Sequence, residues 1–114
     1  MRNYCVVLAL SLAGVVGCSS TSGEDLPPFV DRLIAQFQVE PERDPPGSIW
    51  RYHYKGKEVF YVPPYCCDEP SALYDSDGNF ICSPDGGLTG TGDGKCPDFF
   101  DVRTDERRVW ADDR

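Results

Sequence analysis

The sequence predicts an α+β fold: one N-terminal amphipathic helix packed on a small antiparallel sheet of hairpins, stapled by two disulfides. Three observations carry this expectation. Phe29, Val30, Leu33, Ile34 and Phe37 recur at three- and four-residue spacing, which lines one face of a helix. From Ser48 onward, short aromatic and β-branched segments alternate with turn signals, as hairpins require. Cys66, Cys67, Cys82 and Cys96 then crowd into the C-terminal half, an even set that reads as a disulfide framework.

Each element has a local cause. Pro27 and Pro28 suit the first turn of the helix, where a missing N–H costs nothing, with Glu24 or Asp25 expected to cap it or face its dipole. Pro41 stops it, and EPERDPPG reads as loop. SIWRYHY and EVFYVP flank Lys55-Gly56-Lys57, a turn signal, and so predict the first hairpin. Alternation sends His53 to the face opposite Tyr52 and Tyr54, where it reads as a surface or packing residue; no nucleophile is nearby in sequence. ALYDSDGNFIC predicts a second hairpin turning at Asp77-Gly78. A calcium loop beginning at Asp75 fails there, because the required Gly falls on Phe80 and the bidentate Glu on Gly86. Phe99 and Phe100 are expected on a short turn or helix, followed by a last strand around residues 108–111. Trp110 is expected to complete the core, with Trp50 facing it in the sheet.

The segment between Cys82 and Cys96 is the expected binding loop. Five glycines and two aspartates make it long and irregular, and loops of that length often carry function. Asp85, Gly86, Gly87, Gly90, Gly92, Asp93 and Lys95 are its candidate residues. Phosphate-loop readings fail on spacing: a Walker loop needs Gly where Thr89 stands, and no Ser or Thr follows Lys95. A dinucleotide fingerprint from Gly90 needs Gly where Lys95 stands. Calcium held by Asp85, Asp93 and Asp98 is the alternative for this loop. Zinc is disfavoured, since there is no CxxC pair and a single histidine.

The cysteines also constrain one another. Adjacent Cα atoms lie about 3.8 Å apart across a trans peptide, short of the roughly 4.4–6.8 Å of a disulfide. Cys66 and Cys67 are therefore expected to bond different partners, Cys82 and Cys96, in either order. A CxxC redox site is absent, and no spacing among the carboxylates singles out an acid and a base. The expected catalytic set is none, and no cofactor is expected apart from the calcium alternative.

The first eighteen residues read as an address. Arg2 precedes an uncharged, largely apolar run from Cys5 to Val16, and Val15-Val16-Gly17-Cys18 follows. The run is about a dozen residues, against roughly 20 for a spanning helix, and has the form of a secretory h-region. It resembles a bacterial lipoprotein signal peptide with its lipobox. That resemblance implies cleavage after Gly17 and acylation of Cys18, with residues 1–17 as signal peptide, 18–28 as lipidated cysteine and polar tether, and 29–114 as one domain. Ser19 and Ser20, with no Asp beside the lipid site, imply the outer membrane. Export to an oxidising compartment suits disulfides. The formal charge of −8 disfavours nucleic acid, whose phosphates need clustered Lys and Arg, so the bilayer is the expected partner through Cys18, beside an unidentified protein.

From Ile49 to Arg114 the chain carries Tyr54, VFYVPPYCCD, LYDSDGN, ICSPDGG, TGTGDGKCPDFF and VWADDR. These stretches resemble a family of small bacterial lipoproteins with a C-terminal cysteine- and glycine-rich domain of unknown function. The resemblance implies domain limits and location and names no activity. The expected function is a non-catalytic binding or structural module of the cell envelope. The alternatives are a calcium-binding module using the 83–98 loop, or an inhibitor presenting Val62-Pro63-Pro64-Tyr65 to an envelope or extracellular hydrolase.

Overall fold

The computed structural model describes residues 25–66 and 68–114. The lipobox, Cys18 and Cys67 lie outside them. Among the described residues no helix is long and apolar enough to cross a membrane.

The elements run α1 (Pro28–Val39), β1 (Ser48–Tyr54), β2 (Lys57–Val62), β3 (Ala72–Asp75), β4 (Phe80–Cys82), α2 (Phe99–Val102) and β5 (Thr104–Ala111). The strands form one sheet in the order β4-β3-β2-β1-β5, with every neighbouring pair antiparallel. Lys55 and Gly56 both take positive φ, 51° and 82°. That is the two-residue turn whose twist matches the strands it joins. The second hairpin turns on Asp75, whose Oδ1 accepts the N–H groups of Asp77 and Asn79 at 2.9 Å each. This carboxylate is a turn acceptor, as Asx turns use it.

Helix α1 starts at an N-cap Pro27 that makes no side-chain cap hydrogen bond. Asp25 is therefore not the cap. The proline supplies a preset φ instead, and the N–H of Val30 donates to Pro27 O at 2.9 Å. Buried Phe29, Val30 and Phe37 of α1 cluster with Ile49, Phe60 and Trp110 on one face of the sheet. Phe29 meets Phe60 edge-on at 5.5 Å, and Phe37 stacks on Trp110 at 5.3 Å. At about 2–3 kcal/mol for each fully buried large side chain, these contacts hold α1 where its own twelve residues would be marginal as an isolated helix.

The opposite face is covered as well. Tyr52, Tyr54, Val59, Tyr61 and Leu73 form a second cluster with Cys82, Cys96 and the fully buried Phe99 of α2. Phe99 lies within 5.2–5.7 Å of the rings of Tyr52, Tyr54 and Tyr61. The long loop and α2 thus act as a lid on this side.

Three expectations are corrected. The last strand is longer than residues 108–111 and begins at Thr104; its first residues are polar and solvent-facing, which hid them from a hydrophobic reading. Trp50 and Trp110 do not face each other. Ile49 pairs with Trp110, yet Trp50 pairs with Arg108. The extra residue, Val109, makes a bulge, and Trp50 and Trp110 pack in clusters on opposite faces. The disulfide pairing also differs: Cys82 bonds Cys96, with Cα atoms 6.2 Å apart. Neither is left for Cys66 or Cys67. Cys66 carries no free thiol, and Cys82–Cys96 is the bridge the structure shows between described cysteines.

Candidate functional site

The loop between β4 and α2 is the segment that sequence singled out, and its aspartates are tied down by hydrogen bonds. Asp85 Oδ1 accepts the Tyr61 hydroxyl at 2.8 Å. Ser71 Oγ donates to Asp85 O and accepts its N–H, both at 3.1 Å. Burial first, and then this hydrogen bond to a carboxylate, push the Tyr61 hydroxyl well above the ordinary tyrosine range. Asp93 turns back on its own loop, accepting the N–H of Ser83 at 3.1 Å and of Lys95 at 3.0 Å. The bond from Lys95 N–H is the main cause holding the Asp93 carboxyl below its usual range. Asp98 takes the Tyr54 hydroxyl at 2.6 Å and the Lys55 ammonium at 3.1 Å. The Tyr54 bond is the leading cause of its lowered pKa.

The three carboxylates proposed for calcium therefore serve three places: β2, the loop's own backbone, and the β1–β2 turn. Among the described residues no group of three or more His, Cys, Asp or Glu could hold a metal ion. Burial of Tyr61 and Tyr54 supplies the reason. A half-buried hydroxyl needs an acceptor, and these carboxylates are the acceptors at hand.

The glycines shape the lid. Gly92 has φ of 72°, and a Cβ there would collide with Ser83 O. Gly86 pairs by isolated bridges with both Pro70 and Thr91. Gly87 N–H donates to Glu69 O, and Gly90 N–H to Gly87 O. The crest of this tied loop is Leu88, 88% exposed, beside exposed Thr89 and Gly90. Lys95 is exposed at the base. The structure thus brings Gly86, Gly87, Gly90 and Gly92 together as a scaffold. The outward group is Leu88, an apolar residue that a search for polar ligands passes over.

His53 is exposed, with Nδ1 3.0 Å from Asp105 Oδ2. The Val62-Pro63-Pro64-Tyr65 segment does not project as a free loop. Val62, Pro63 and Tyr65 line a cleft against Leu33, Gln36 and Phe37 of α1, about 300 Å³ in volume. Arg43 also lines it, and sequence had read Arg43 only as part of a polar loop.

A five-stranded antiparallel sheet, a helix on one face, and a disulfide-tied glycine loop on the other define a small α+β domain. Residues 35–112 match the family model described as a domain of unknown function, DUF6970, so the chain belongs to that family. No curated protein and no solved structure gives a significant match.

Proposed function

We propose that this protein is a lipid-anchored component of the bacterial cell envelope. Cys18 holds it at the outer membrane, and it acts as a non-catalytic binding module through the crest of the 83–98 loop. The observation that supports this reading is Leu88. A large apolar side chain stands 88% exposed on a backbone tied by Asp85, Asp93 and the Cys82–Cys96 bridge. Such a loop loses little entropy on binding, because its conformation is already set. The acidic surface supplies solubility, and the acyl chains supply attachment.

The test uses the full chain in its native envelope, with a photo-crosslinking residue placed at Thr89. A discrete crosslinked species that Leu88→Asp abolishes without lowering the melting temperature supports the reading. Absence of any crosslinked species overturns it. Asp85 and Asp93 are unsuitable for this test, since both hold the loop together. Labelling with radioactive fatty acid that is lost in Cys18→Ser checks the anchor separately.

A further inference from the structure

The cleft beside α1 carries a polar network that neither core nor lid uses. Glu40, just past the end of α1, accepts two bonds: Gln36 Nε2 donates to Oε2 and Arg43 Nη2 to Oε1, each at 3.2 Å. The Arg43 guanidinium also lies over two rings, with Cζ 4.8 Å from the centroid of Phe37 and 4.6 Å from that of Tyr65. It is thereby held by an ion pair and two cation–π contacts, while its side chain keeps 25% of its exposure. A guanidinium has five N–H donors. Among the described residues Arg43 donates a side-chain hydrogen bond to Glu40 alone, so most of its fork remains available on the cleft wall.

The rest of the wall is mixed: the Glu69 carboxylate lines it together with an amide and apolar groups. Gln36 spends an amide N–H on Glu40 and retains its amide oxygen, an acceptor. Leu33, Val62, Pro63 and Tyr74 contribute apolar surface. At about 300 Å³ the cleft stands at the lower end of ordinary ligand pockets, too small for a folded partner. A fixed guanidinium, two acceptors in the Gln36 amide and the Glu69 carboxylate, and an apolar hollow suit a ligand with a carboxylate for the guanidinium, an N–H beside it for an acceptor, and an apolar side chain.

We propose that this cleft binds the free C-terminal carboxylate of a short peptide with an apolar terminal residue. Arg43 takes the carboxylate through a charge-assisted fork, Gln36 accepts the peptide N–H, and Phe37 and Tyr65 keep the guanidinium in place. Glu40 is a positioning residue that orients both polar groups. The site is separate from Leu88, so its test and that of the loop stand or fall independently.

The experiment is a heteronuclear NMR titration of the full chain with two probes, N-acetyl-alanyl-phenylalanine and the same dipeptide as its carboxamide. Expected are shifts at residues 33–43 and 62–74, with affinity for the carboxylate about tenfold or more above the carboxamide, the discrimination one good charged contact gives. Arg43→Gln should erase that difference, and Arg43→Lys should restore part of it, because the charge returns without the fork. Equal binding of the two probes overturns carboxylate recognition. No shift in those segments up to about 10 mM of either probe, beyond the weakest affinity worth calling specific, overturns the site. If Arg43→Gln fails to fold, the comparison of the two probes on the unaltered chain decides alone.

Discussion

Replacing Asp85 with alanine isolates the contact that fastens the lid to the sheet. Tyr61 is only 8% exposed, and its ring is packed by Tyr52, Phe99 and Phe100. Its hydroxyl reaches Asp85 Oδ1 at 2.8 Å. Removing the carboxylate strands a half-buried donor, which costs about 2 kcal/mol, within the range for a lost bond to a charged acceptor. For a domain of this size that loss lowers the melting temperature by roughly 10 °C. The backbone pairing of Asp85 with Ser71 survives the substitution, so the effect reports the side chain. Urea denaturation of Asp85→Ala, Tyr61→Phe and the double variant forms the cycle. Tyr61→Phe removes the donor and keeps the ring, so the double variant should lose little beyond either single one, with a coupling of about 1–2 kcal/mol. An Asp85→Ala loss under about 0.5 kcal/mol, or strictly additive losses, would refute the account of the loop as a fastened lid.

Four further outcomes follow from the same geometry. Gly92→Ala places a Cβ against Ser83 O at a φ of 72°, and the melting temperature should fall steeply, by about 2 kcal/mol or more in stability. Arg114 donates to Phe37 O, Gln38 O and Glu40 O at the end of α1 and is held by Asp112; Arg114→Ala should speed amide hydrogen exchange in the last turn of α1 while β1 and β2 are unchanged. Acid should destabilise the fold. Backbone N–H groups at Asn79 and Lys95, the Tyr54 hydroxyl and the Arg114 guanidinium hold Asp75, Asp93, Asp98 and Asp112 respectively below the usual carboxylate range. The unfolded chain then binds more protons below about pH 4.5, so stability is fully present above that and is lost as pH falls through the folded values; melting curves that do not change between about pH 6 and about pH 2 would refute this. A non-reduced digest should yield Cys82 and Cys96 in one linked peptide pair, and reducing that bridge, which spans 14 residues, should cost about 3 kcal/mol in the chain-entropy model.

The hairpins were legible because their causes are local. Lys55-Gly56 sets one turn, Asp75 with the positive-φ Gly78 sets the other, and alternation along residues 48–54 sends Tyr52 and Tyr54 inward and His53 outward with no help from the rest of the chain. The candidate loop was legible as a place but not as a mechanism. Glycine spacing marks a backbone that must take positive φ, whereas the direction of Asp85, Asp93 and Asp98 depends on which buried hydroxyls and N–H groups lie beneath them. Arg43 left no signal at all. Its rings, Phe37 and Tyr65, lie 6 and 22 residues away in opposite directions along the chain, and packing alone joins them.

By itself, then, the sequence determined the α+β class, the two hairpins, a cysteine-bounded glycine loop and the expectation of a lipid anchor. All of these follow from short-range spacing and composition. Tertiary structure decided which cysteine meets Cys82, which face each tryptophan occupies, and what the loop's carboxylates do. Those outcomes turn on non-local geometry. The pairing of Ile49 with Trp110 across β1 and β5 puts Trp50, the next residue of β1, on the opposite face, and a disulfide or a buried hydrogen bond forms only where the folded backbone brings both partners within reach.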